Sequence, residues 1–182
     1  RDDCVRIRHA DGSCAARFLF DSFQVSEGSY SLPGMPALYD TDGEKGETLT
    51  ITLREACSDV QVQLLYGVFE QADIITRALK VWNGGQNPVE LEKVLSMSMD
   101  IPFGDFDMIY FAGRHAMERT AERLPVRRAG VHIGSVRGTS SHQYNPAMIL
   151  CGPNTDEDAG DCYGFCFVYS GNFTASAQQD QR

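Results

Sequence analysis

Over most of this chain the apolar residues recur with a period of two. In Leu49-Thr50-Ile51-Thr52-Leu53 and in Val60-Gln61-Val62-Gln63-Leu64 every second residue is apolar. An extended backbone turns successive side chains to opposite faces, so each run predicts a strand with one buried and one wet face. The polar stretch Arg54 to Asp59 between them reads as a hairpin loop. The same alternation continues through Val89, Leu91, Leu95, Met97, Met99 and Ile101 and predicts one long strand. Ile74 to Trp82 is apolar and β-branched and stops at Asn83-Gly84-Gly85, a turn signal associated with positive φ. It is expected to pair with the strand that starts at Val89.

Further strands are expected at Val5 to Ile7, Ala15 to Phe20, Met108 to Phe111, Ala147 to Cys151 and Tyr163 to Tyr169. Ala116 to Leu124 places Met117, Thr120, Ala121 and Leu124 at helical offsets, but the window is too short to be persuasive as a helix, and it reads as ambiguous between the two, leaning strand. Turn residues at Gly12, Gly34, Gly43 and Gly152, without a strand–helix alternation, predict an all-β fold, an antiparallel β-sandwich. No internal repeat or linker interrupts the chain. Residues 1–174 are expected to form one domain, and Thr174 to Arg182, mostly polar, is expected to run out of it, leaving 175–182 as a tail.

Composition narrows the function. A chain of 182 residues can bury a core without staples. Its 25 acidic against 16 basic residues, net charge −9, repel phosphate backbones and offer no basic stretch for anionic lipid, so neither nucleic acid nor membrane is expected as a partner. No apolar run approaches the roughly 18 residues of a spanning helix. The start, Arg1-Asp2-Asp3-Cys4, has neither a signal-like pattern nor an initiator Met, and is expected to be an internal point of a longer polypeptide. Six cysteines (Cys4, Cys14, Cys57, Cys151, Cys162, Cys166) lack C-x-x-C spacing. On one strand Cys162 and Cys166 would stand about 13 Å apart, too far to bridge. Buried reduced thiols and a cytoplasmic setting are expected. His9, His115, His132 and His142 show no metal-ligand spacing, and nothing calls for a cofactor.

The densest set of hydrogen-bonding side chains is Arg137-Gly138-Thr139-Ser140-Ser141-His142-Gln143-Tyr144-Asn145-Pro146. Ser141, His142, Gln143 and Asn145 suit sugar hydroxyls, and equally suit the loop's own backbone or a docked neighbouring domain. Ser141 and His142 are adjacent and would point to opposite faces of an extended chain, which argues against a nucleophile–base pair. Tyr163, Phe165, Phe167 and Tyr169 share one face, as a core row or as a stacking platform for sugar rings. Arg114, Arg119, Arg123, Arg127 and Arg128, interleaved with Glu118 and Glu122, predict a solvated ion-paired face. Asn172-Phe173-Thr174 is a glycosylation sequon in a turn that also contains Gly171.

Four segments, Leu32-Pro33-Gly34-Met35-Pro36-Ala37-Leu38-Tyr39, Phe69-Glu70-Gln71-Ala72-Asp73-Ile74-Ile75-Thr76-Arg77, Arg137 to Pro146, and Tyr163 to Phe173, occur in an order that resembles the N-terminal domain of bacterial α-galactosidases of glycoside hydrolase family 36. The resemblance implies a β-supersandwich of the galactose mutarotase-like kind, followed by a (β/α)₈ catalytic barrel. It also implies a homo-oligomeric retaining hydrolase of terminal α-galactosides such as melibiose and raffinose. That family's nucleophile lies in a Lys-Trp-Asp motif on the barrel, and the single tryptophan here lies instead in Lys80-Val81-Trp82-Asn83-Gly84. The expected function is therefore non-catalytic, as barrel packing, oligomer contact and part of a sugar pocket. A stand-alone carbohydrate-binding module and a purely structural assembly domain are the alternatives. By the same resemblance Arg1 corresponds to an arginine that approaches a neighbouring subunit's active site. His115, in Arg114-His115-Ala116-Met117-Glu118-Arg119, occupies a place where the family often has an aromatic residue. Asn172 joins the loop residues as a candidate contact.

Overall fold

The computed structural model describes residues 4–180. Every regular element in it is a strand and every ladder is antiparallel: β1 Val5–Arg8, β2 Phe18–Glu27, β3 Glu47–Glu55, β4 Val60–Phe69, β5 Ile74–Asn83, β6 Glu90–Val94, β7 Asp107–Arg114, β8 Met117–Pro125, β9 Val131–Ser135, β10 Tyr144–Cys151, β11 Cys162–Cys166 and β12 Phe173–Ala177. The chain divides into two compact units, residues 1–100 and 101–182.

The first unit holds a four-stranded sheet, β2-β3-β4-β5, and the two-stranded ribbon β1-β6. Register carries the alternation across the sheet. Phe23, Ile51, Leu64 and Leu79 lie in one row and Val25, Leu49, Tyr66 and Arg77 in the next, all on one face. Ile7, Val60 and Val62 are buried, and an interior gap of about 250 Å³ is lined jointly by Val5 and Leu95 from the ribbon side and Leu53, Val62 and Leu79 from the sheet. The opposite face buries Leu65, and Tyr30, from the long 28–46 connection, packs over Gly67. Asp40 closes that connection by accepting the amides of Ser29 (3.1 Å) and Gly46 (3.0 Å), and these bonds hold its carboxyl below the ordinary value.

The second unit packs the sheet β11-β10-β7-β8 against the pair β12-β9. Met108, Tyr110, Met148 and Leu150 from the large sheet meet Val131, Ile133 and Phe173 from the small one. At this burial a large aliphatic side chain contributes about 1.5–3 kcal/mol.

Several expectations are corrected. The strand predicted from Val89 to Ile101 ends at Val94, because its partner is the four-residue β1, and the last contact of that ladder is the Leu95 amide on the Cys4 carbonyl. It does not pair with β5. The Asn83 side chain folds the chain back locally, donating to the Asn87 carbonyl and accepting from the Gly85 amide, while the Gly84 amide bonds the Asp59 carbonyl; neither Gly84 nor Gly85 takes positive φ. β2 lies at Phe18–Glu27 rather than Ala15 to Phe20, since β3 pairs with it as far as Glu27. The Tyr163 to Tyr169 strand stops at Cys166, where its ladder on β10 ends at Ala147; Pro146 follows and has no amide to donate.

The polar C-terminal stretch does not leave the fold at Thr174. Phe173–Ala177 is a strand paired with β9, and Phe173 is buried. Five of the six cysteines are exposed and only Cys151 is buried, against the expectation of buried thiols. The Arg–Glu face is exposed throughout β8 as expected, but its pairing differs. Glu122 accepts the Tyr110 hydroxyl, Glu118 accepts the Ala116 amide, and Arg123 pairs with Asp107.

Candidate functional site

Within the second unit, an open groove of about 460 Å³ lies between the β7–β8 hairpin and the start of β10, lined by Ala112, Gly113, Arg114, Met117, Thr120, Glu122, Gln143 and Tyr144. The hairpin has its shape because the ladder slips between Ala112 and Arg114, and Gly113 sits at that slip. A Cβ on Gly113 would fall 2.6 Å from the Met117 carbonyl oxygen and 2.8 Å from the Glu118 Cα, so only glycine fits. Ala116 takes a φ of 62°, a left-handed value, and its amide is held by Glu118 at 2.8 Å.

On the other wall the Gly113 amide donates to the Gln143 carbonyl (3.2 Å), joining the hairpin to the 137–146 loop. That loop is in turn joined to the 170–173 turn. The Asn172 Oδ1 accepts the Gly138 amide at 2.6 Å, and the Ser140 amide donates to the Ser170 carbonyl at 2.8 Å. Three segments distant in sequence thus meet at one end of the unit. The floor is polar: Tyr110 donates its hydroxyl to Glu122 Oε2 at 2.5 Å. The hydrogen bond to Glu122, with burial second, pushes the Tyr110 hydroxyl up to about 12.

The candidate residues fall into three groups. Gln143 lines the groove, and Asn172 acts through its bond to the loop backbone. Ser141, half-buried, accepts the Gln143 amide with its Oγ (3.2 Å), while Asn145 is half-buried in β10 and His142 is exposed on the loop. His115 is exposed at the hairpin tip and is not among the groove's lining residues. Arg1 lies outside the described residues. The aromatic row divides: Phe165 and Phe167 pack on the core, whereas Tyr163 and Tyr169 are exposed.

In the sequence Thr120 and Glu122 read only as parts of a short strand-like, ion-paired run and Tyr144 only as part of the polar loop, none of them as a site residue. Their common signal is register, since Tyr110 stands opposite Glu122 and Ala112 opposite both Thr120 and Tyr144. Chemically the groove offers one guanidinium, one carboxylate, hydroxyls and an amide beside a tyrosine ring, a set that hydrogen-bonds polyhydroxylated molecules.

The fold and this site define an all-β antiparallel sandwich domain that presents a groove and loops at one end of its second unit. Residues 1–182 match the model of the glycosyl hydrolase family 36 N-terminal domain, and the chain belongs to that family. It is 44% identical over 181 residues to the bifunctional α-galactosidase/sucrose kinase AgaSK of Mediterraneibacter gnavus, covering 100% of this chain and 19% of that protein. To α-galactosidase AgaA of Geobacillus stearothermophilus it is 37% identical, covering 100% of this chain and 25% of the relative. The solved galactosidase domain of AgaSK superposes with a TM-score of 0.94, and the crystal structure of AgaA with 0.95, each over 100% of this chain and 25% of theirs. The chain thus spans a quarter or less of the length of these relatives.

Proposed function

We propose that the chain is the non-catalytic N-terminal domain of an α-galactosidase that releases terminal α-galactose from melibiose- and raffinose-type sugars. One observation carries the reading: full-length relatives named α-galactosidases match essentially all of this chain with 19% to 25% of themselves. A variant of AgaA has been solved with raffinose and another with stachyose, which supports the substrate class. Retaining hydrolysis needs two carboxyl groups about 5–5.5 Å apart. The groove here is lined by one carboxylate, Glu122, already engaged by Tyr110. The acid and the nucleophile belong to a (β/α)₈ barrel elsewhere in the parent.

In this reading the 137–146 loop and the 170–173 turn meet that barrel, and the domain also contributes contacts between copies in a homo-oligomer. Contacts remote from the bond being broken still raise a rate by positioning the sugar. A reducing, cytoplasmic setting belongs to the same reading and rests on the low density of the six cysteines and their lack of C-x-x-C spacing.

The test is an aryl α-galactoside assay on the full-length protein and on the 182-residue chain. The parent should turn over and the chain should not. Activity of the chain that survives repurification and disappears in Glu122→Gln would overturn the assignment. The mixed polar groove favours one second reading, a carbohydrate-binding module. Titration of the chain with galactose and raffinose separates the two, because a module binds by itself.

A further inference from the structure

We propose that Cys151 and Cys162 are a site of reversible oxidative modification, two thiols that close to a disulfide when the protein meets a peroxide. They stand directly opposite each other in the β10–β11 ladder. Directly opposed residues of an antiparallel pair have Cα atoms about 4.5–5.5 Å apart and side chains on the same face. A disulfide spans Cα separations of about 4.4–6.8 Å, so the pair is within bridging range once the Cys151 thiol turns from the Asp107 carbonyl of β7, to which it donates at 3.9 Å. The other cysteine of β11, Cys166, faces Ala147.

The surroundings keep this geometry in place. Residues 152–161 connect the two strands and are drawn in by Arg123, which donates to the carbonyls of Gly152 (2.8 Å), Pro153 (3.0 Å) and Thr155 (2.7 Å) and to Asp107 (2.7 Å). Inside the connection Asp156 accepts the amides of Asp158 and Ala159, both at 2.9 Å. The Thr155 hydroxyl donates to the Asp161 carbonyl (3.3 Å), so both ends of the segment are fastened while the thiols are still reduced.

Exposure divides the roles. Cys162 is exposed and Cys151 is buried, so the oxidant reaches Cys162 first. Hydrogen peroxide transfers one oxygen to the Cys162 sulfur, giving a sulfenic acid and one water. The Cys151 sulfur then attacks that sulfur, the S–S bond forms, and the hydroxyl leaves with the Cys151 proton as a second water. The two thiols lose two electrons and the peroxide gains them. A dithiol returns both thiols by exchange.

The experiment treats the folded full-length protein with hydrogen peroxide, blocks remaining thiols and maps peptides after cleavage at Glu157, which lies between the two cysteines. The expected result is that the fragments on either side of Glu157 stay joined through Cys151 and Cys162 without reductant and separate with dithiothreitol. In Cys151→Ala the joined species should be lost and a dimedone adduct should appear on Cys162, and Cys57→Ser should leave the bridge intact. Oxidation of Cys162 to the sulfinic acid while Cys151 remains a thiol would overturn the proposal, as would joining of either cysteine to a different partner, or no oxidation at either position.

Discussion

Both four-stranded sheets present an apolar face, but they bury it to different extents. In the second unit β7 and β10 close on β9 and β12, and Met108 is 0% exposed. In the first unit the ribbon side buries Val60 and Val62, while Phe23 on β2 and Ile75 on β5 remain 66% and 69% exposed. Alternation therefore encodes that a sheet has an apolar face. It does not encode how much of that face another element of the same chain covers, because the covering partner is set by connections and register.

Substitutions can break this contrast. The largest effect is expected for Met108→Ala, which removes a fully buried side chain and should cost about 2–5 kcal/mol in urea unfolding. Phe23→Ala takes away a larger side chain at an exposed position. A comparable loss there would show that its face is covered after all.

Next is Glu55, 4% exposed, whose carboxylate accepts the amides of Arg17 (3.2 Å) and Cys57 (2.9 Å). Burial works against its charge, but the Ser58 hydroxyl and these amides outweigh it and hold the carboxyl below its ordinary value of 4.5. The folded value lies below the unfolded one, so this stabilisation is complete above the unfolded value and is lost as pH falls through the folded one. Glu55→Ala leaves the amides without their acceptor and should cost about 1–3 kcal/mol at pH 7. Unfolding midpoints should show the difference from the parent shrinking toward acid pH; a constant difference would mean that packing, not charge, is what Glu55 supplies.

Gly113→Ala should cost about 1–3 kcal/mol through the clash at the hairpin slip. It should also weaken any sugar titration of the groove, whereas Gly43→Ala, with open space around it and outside the groove lining, should leave the titration unchanged.

Asn172→Ala removes the bond to the Gly138 amide and should cost about 1 kcal/mol in the chain itself, while His142→Ala should be near neutral. If both leave the chain unaltered yet lower the full-length protein's activity, the loop and turn serve the barrel more than their own unit. Phe23→Ala, like His142→Ala, belongs at the small end of the series, under about 0.5 kcal/mol.

Most strands were legible because alternation is a local property. Ile51 and Leu53 or Val60 and Val62 need no knowledge of their partner to be read. The Ala116 to Leu124 window, ambiguous in the sequence, is settled by β7: nine residues beside a partner strand gain more from a ladder than from an isolated helix. β12 was missed because Thr174-Ala175-Ser176-Ala177 shows no large apolar side chain, yet Ala175 and Ala177 fit where the small sheet is close to the core. β9 carried its signal in Val131 and Ile133, two residues in a five-residue strand, too few to stand out. Of the site, the loop from Arg137 to Pro146 was visible by its polarity. The wall opposite it was not, because Thr120 and Glu122 sit in an unremarkable charged run.

By itself, then, the sequence determined the all-β class, most strand positions, the polar loop, and family membership through four ordered motifs. These are properties of short segments, each decided by backbone extension and side-chain alternation. Only the tertiary structure decided that β6 lies beside β1, that Asn172 reaches Gly138 across 34 positions, and that Cys151 faces Cys162. Such pairings depend on which distant strands share hydrogen bonds and on where each ladder starts. A slip of a single residue would have reversed every face without changing one letter of the sequence.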